Sequence, residues 1–143
     1  MTARELFSLA LWLAAIGHLV VLAAGLQAPR RLRWREDFAK LVPFNRKVFW
    51  VYSAYIVMFI AAFSVFTFLF HDELLRGDRT ALAVAVFIGV FWLGRIAVDL
   101  FYYRHSDWPK GRAFAVGHVL LTSLFVCLAG TYLGLVVWQA SRL

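Results

Sequence analysis

The chain has 143 residues, of which 63% are hydrophobic and 16% charged, and its mean hydropathy is +0.75. One soluble core of that length cannot bury so much apolar surface, so lipid must solvate most of the chain. The formal charge of +7 and pI near 10.2 do not point to nucleic acid, because Lys and Arg sit between apolar runs, where they act as topology signals and meet anionic lipid head groups. The single cysteine, Cys127, excludes an intrachain disulfide and any multi-cysteine metal or iron–sulfur site.

The first apolar run covers residues 6–26, with Arg4 and Glu5 ahead of it and Arg30, Arg31, Arg33 and Arg35 behind. A secretory signal would carry its positive charge in front, so a retained helix is expected. Between Pro29 and Pro43, Trp34, Phe38, Leu41 and Val42 recur at helical spacing, which predicts a short helix lying in the membrane interface. Further runs at 48–70, 80–103 and 113–138 are each long enough to cross ~30 Å of hydrocarbon as a helix. Continuous rather than alternating apolar runs argue against a β-barrel.

The expected architecture is therefore all-α: one domain over residues 1–143, an integral membrane protein built as an antiparallel four-transmembrane-helix bundle, with a short interfacial helix in the first cytoplasmic link. Glycines 17, 25, 89, 94, 117, 130 and 134 fall inside the spans, where small residues let helices approach closely. Ten basic residues flank the first and third links (30, 31, 33, 35, 40, 46, 47, 104, 110 and 112), against Arg4, Arg76, Arg79 and Arg142 on the other side. That asymmetry places the two basic links in the cytoplasm and both termini outside. Trp50, Trp108 and Trp138 lie near span ends and read as an aromatic belt, whereas Trp12 and Trp92 sit deeper, as packing residues do.

Charge within the hydrocarbon is confined to the third span, where Arg95 and Asp99 stand four residues apart on one helical face. Such residues carry a functional expectation, set against the plainer reading of mutual neutralisation. His18 and His118 fall at a similar depth, about 12 and 8 Å from the basic end of their spans at ~1.5 Å per residue. Tyr52 and Tyr55 of the second span join them, so each span offers polar groups to one layer in the cytoplasmic half. His71 and His105, at span ends, read as interfacial residues.

From these residues the expected function is a pocket in the cytoplasmic half of the bundle for a lipophilic substrate, a quinone or a lipid. Asp99, Arg95, His118 and His18 are the candidate catalytic or polar-site group, with Arg95 fixing an anionic or carbonyl group and Asp99 or a histidine handling protons. Tyr52, Tyr55, Tyr102, Arg46 and Lys47 are the candidate substrate contacts. The matching strings Gly17-His18 and Gly117-His118 raise a second reading, a bis-histidine haem b electron carrier with His18 and His118 as axial ligands. No other metal is expected, for want of clearly spaced His, Cys or Glu ligands. A third reading is a noncatalytic accessory subunit in a homo-oligomer or larger membrane complex.

Overall fold

The computed structural model describes residues 1–142 and, at His105, the backbone alone; the side chain of His105, expected at the interface, lies outside the described residues. Helix α1, Ala3–Gly25, opens with a reciprocal cap in which Thr2 Oγ1 accepts from the Glu5 amide at 3.2 Å and Glu5 Oε2 accepts from the Thr2 amide at 2.7 Å. The Thr-x-x-Glu pattern thus starts the helix ahead of the apolar run itself.

The first link holds two short helices, α2 (Ala28–Arg31) and α3 (Trp34–Phe38), rather than one. Arg33 between them takes a left-handed conformation, φ 54°, which interrupts the helical path. Leu41 and Val42, expected on the same face as Trp34 and Phe38, lie beyond α3 and are exposed. Trp34 and Phe38 instead cover the start of the next helix, with ring centroids 5.2 and 4.2 Å from Phe49. That helix, α4 (Pro43–Leu69), begins at a proline, whose fixed φ and missing N–H suit a first helical position. Arg46 and Lys47 consequently sit in its first turn rather than in a loop.

A further short helix, α5 (His71–Arg76), packs its Leu74 and Leu75 into the bundle. It ends in a Schellman motif: the Asp78 amide bonds the Glu73 carbonyl and the Gly77 amide bonds Leu74, with Gly77 at φ 81°. Helix α6 (Arg79–Phe101), a 3₁₀ turn at His105–Asp107 and helix α7 (Arg112–Ala140) complete the chain. Gln139 of α7 donates to the Leu75 and Leu74 carbonyls at 2.8 and 3.3 Å, tying the end of α5 to the bundle.

The stretches Ala3–Arg31, Pro43–Leu69, Arg79–Phe101 and Arg112–Ala140 are long and apolar enough to cross a membrane, each holding an 18-residue window of mean hydropathy between 2.0 and 2.2. The chain is an all-helical, multi-pass membrane bundle. Cross-helix pairs show neighbouring spans to be antiparallel: Ser64 of α4 meets Ala15 of α1 while His71 meets Ser8, and Asp99 of α6 meets Thr122 of α7 while Gly89 meets Leu133. Around the bundle the order is α4, α1, α7, α6. Helices α4 and α6, successive spans in sequence, face one another through the rings of Phe59 and Phe63 against Phe87 and Phe91.

Packing is uneven along the bundle axis. The core, including Leu11, Ile60, Leu74, Ile88, Leu128 and Leu135, lies from mid-bundle toward the end that holds the termini and α5. Beyond Val21, Ile60, Trp92 and Phe125, toward the basic links, Asp99 is the one buried side chain among the described residues. The end where the charge lies is therefore also the open end.

Close approach does not use all the glycines expected to permit it. A Cβ at Gly89 would stand 2.6 Å from Leu133 and one at Gly17 3.1 Å from Leu124, whereas Gly25, Gly94, Gly117 and Gly130 face open space. Gly89 is therefore the contact that sets the α6–α7 spacing. Gly89→Ala is expected to destabilise the bundle by about 1–3 kcal/mol through overpacking. Gly94→Ala should be neutral or slightly stabilising, because it meets nothing and gains helix propensity. Thermal denaturation of the two variants in detergent checks the contrast.

Candidate functional site

On antiparallel neighbours, a pair spaced by four residues on one helix faces a pair spaced by four on the other. Arg95 and Asp99 of α6 oppose His118 and Thr122 of α7 in this way. The Asp99 side chain is only 4% exposed, and its two oxygens face different partners. Oδ2 accepts from Thr122 Oγ1 at 3.1 Å and lies 3.1 Å from His118 Nε2. Oδ1 faces Arg95, whose Nη1 at 3.8 Å attracts it electrostatically from beyond hydrogen-bond reach.

His118 is fixed from its other face by Trp108, at 4.1 Å between ring centroids, so the segment after α6 folds back over the site. An apolar cleft of about 600 Å³ opens beside the pair, lined by Asp99, His118, Thr122, Trp108, Val119 and Val126 among others. Its walls come from α6, α7 and their link, so it faces sideways out of the bundle. His118 Nε2 is the ring nitrogen at the carboxylate, 3.1 Å away, and Nδ1 is the one left for another partner. His118 Nδ1 makes no hydrogen bond within the described residues and is not sealed off.

The four-span polar layer expected from depth alone does not form. Arg95, Asp99 and His118 come together, but Arg95 lies on the far side of Asp99 from the cleft, over the rings of Phe125 and Tyr103 at 5.2 and 5.6 Å. Tyr52, Tyr55 and Tyr102 are 65%, 53% and 78% exposed and line no part of the cleft. On α4 the buried stripe is Ile60, Phe63, Ser64 and Thr67; at ~100° per residue Tyr55 lies roughly 130° around the helix from its centre. Arg46 and Lys47, at the start of the same helix, also stand outside the cleft.

His18 occupies a separate, sealed position. It is 0% exposed, its Nε2 accepts the indole N–H of Trp92 at 3.1 Å, and Phe63, Trp92 and Tyr132 surround it at 5.6–5.8 Å between ring centroids. Trp92 stacks on Phe125 at 5.0 Å, and the Arg95 guanidinium lies on Phe125, so two aromatic planes separate His18 from the charged group. A bis-histidine haem needs both imidazoles on one cavity with free nitrogens. The residues present do not fit it. Among the described residues no group of three or more His, Cys, Asp or Glu side chains is placed to hold a metal ion.

Two participants were not singled out from sequence. Thr122 follows His118 by four residues and so shares its face, a spacing that was legible. His71, expected to be an ordinary interfacial residue, is buried at 8% exposure: Nε2 reaches the Ser8 carbonyl at 3.2 Å and the ring stacks on Trp12 at 4.4 Å. It belongs to the tightly packed end, where Thr67 and Tyr132 also bond one another. Comparison of the chain with known protein families, with characterised proteins and with solved structures finds no match. The functional reading rests on the site itself.

The geometry makes a coupling prediction. Asp99→Ala should cost about 3 kcal/mol or more, since it strands Arg95 and leaves Thr122 Oγ1 and the His118 ring without the carboxylate they face. In a double-mutant cycle it should couple to His118→Ala by about 0.5–3 kcal/mol. With His18→Ala it should be additive within ~0.5 kcal/mol, because Trp92 and Phe125 intervene. Reversible unfolding in mixed detergent micelles measures the three terms.

Proposed function

We propose that this chain binds a lipophilic molecule in the lateral cleft between α6 and α7, with His118 meeting its polar head and Asp99 poising His118 to take up or return a proton. The observation that carries this reading is the buried Asp99 carboxylate, held 3.1 Å from His118 Nε2 and 3.1 Å from Thr122 Oγ1 at the wall of an apolar cleft of about 600 Å³. Asp99 beside Nε2 holds the ring in place, and Nδ1 is the nitrogen left to meet a ligand. A ligand bearing a hydroxyl or an acidic phenol, such as a quinol, suits that nitrogen, and its hydrocarbon suits Val119 and Val126. Entry is from the lipid, since the cleft is lateral.

The reading is tested on protein purified in mild detergent. Mass spectrometry of its organic extract should find a lipophilic molecule near stoichiometry. His118→Ala, which removes the polar contact, and Val119→Trp, which fills the cleft, should each lower occupancy about tenfold or more, equivalent to about 1.4 kcal/mol, with helical circular dichroism retained. Equal occupancy in all three proteins would sink the proposal.

The charge asymmetry supports an orientation for the site: the end with α2, α3 and the α6–α7 link lies in the cytoplasm, with both termini outside. A periplasm-active reporter fused at the α5–α6 corner, after Gly77, should be active and a cytoplasm-active one silent. The reverse pattern would put the cleft in the outer half of the membrane.

A further inference from the structure

Among the described residues Arg95 is a charged side chain with a buried nitrogen that makes no hydrogen bond. Among the described residues none of its guanidinium nitrogens makes a hydrogen bond: Nη1 is buried toward Asp99 at a distance of 3.8 Å, and the other two are not sealed off. Its side chain is 37% exposed. Asp99 compensates it only partly, because Oδ2 is taken by His118 and Thr122. Five donors left without acceptors inside a membrane span are costly, and an incoming acceptor would relieve that cost.

The guanidinium is nevertheless held in place. It lies over Phe125 at 5.2 Å and Tyr103 at 5.6 Å, so stacking fixes its plane while its N–H edge stays unspent. Tyr103 lies just past the C-terminus of α6, so the side chain reaches along its helix toward the basic end of the bundle. Arg95 is six residues from Phe101, the last residue of α6, about 9 Å at ~1.5 Å per residue. A guanidinium that has reached that way comes near the level of lipid phosphates. The same end carries Arg46, Lys47, Arg104, Lys110 and Arg112, whose field concentrates anions there.

We infer that Arg95 is the anchor of an oxyanion-binding subsite at the basic end of the bundle, on the opposite side of Asp99 from the lateral cleft, for the phosphate of an anionic lipid or a free phosphate. A planar fork with unspent donors, pinned on aromatic faces, is suited to two parallel hydrogen bonds to phosphate oxygens. The inference does not depend on the cleft ligand. Its residues touch that site only through Asp99.

Asp99 competes for the same charge, and this gives the subsite a signature that a purely structural arginine lacks. Detergent-purified full-length protein would be titrated with phosphatidylglycerol, with phosphatidylcholine and with inorganic phosphate, following its melting temperature. Phosphatidylglycerol should stabilise the wild type saturably. Arg95→Gln should weaken the apparent affinity about tenfold or more, and Arg95→Lys, which keeps charge but loses the fork, should weaken it less. Asp99→Asn should tighten it, although that change removes a native partner. If inorganic phosphate reproduces the effect, the ligand is the free anion; if it acts only as the lipid, the ligand is the head group. Equal affinity in wild type, Arg95→Gln and Arg95→Lys would overturn the proposal even if Asp99→Asn fails to fold, and so would equal stabilisation by phosphatidylcholine.

Discussion

Hydrocarbon offers a polar group nothing to bond, and it solvates an apolar side chain about as well as another helix does. In such a solvent the rotation of each helix is set less by its leucines than by where its few polar side chains find partners. Ser64 donates to the Ala15 carbonyl and joins α4 to α1; Thr67 and Tyr132 bond one another between α4 and α7. The indole of Trp92 bonds His18 across the bundle, and Gln139 closes the carbonyls at the end of α5. Each of these bonds spans 40 or more residues of sequence, and together they orient every span toward the same interior.

These bonds concentrate at the end that holds the termini, and the apolar packing follows them. Toward the basic links no comparable lattice exists, and the contact of α6 with α7 there turns on the carboxylate of Asp99. The asymmetry separates two tasks. One end supplies a rigid frame, with Gly89 allowing α6 and α7 to close on Leu133, and the other leaves an accessible charge cluster on that frame. At the tight end His18 is sealed, whereas at the open end Arg95 and His118 stay partly exposed beside the buried Asp99.

Asp99 also divides the chemistry of its neighbourhood. One oxygen belongs with His118, Thr122 and the cleft, and the other faces Arg95 and its aromatic bed. The two sides thus share a single negative charge. Stacking of Trp92 on Phe125 keeps His18 apart from both.

Hydropathy and charge were enough to place four spans and their alternating direction, because transfer into lipid depends on local composition over about 20 residues. The four-residue spacing of Arg95 and Asp99 was legible for the same local reason. Depth was legible too, and His118 does meet Asp99. Azimuth was not: side chains at one level can point into the bundle, as His18 does, or out of it, as Tyr55 does, and tilt and rotation depend on contacts between distant segments. The same limit hid the burial of His71, which α5 brings against Ser8 and Trp12. Local sequence determined which stretches enter the membrane and what charge they carry, whereas only the packed bundle decided which of those charges meet, since bonds across helices are made by geometry that no single span contains.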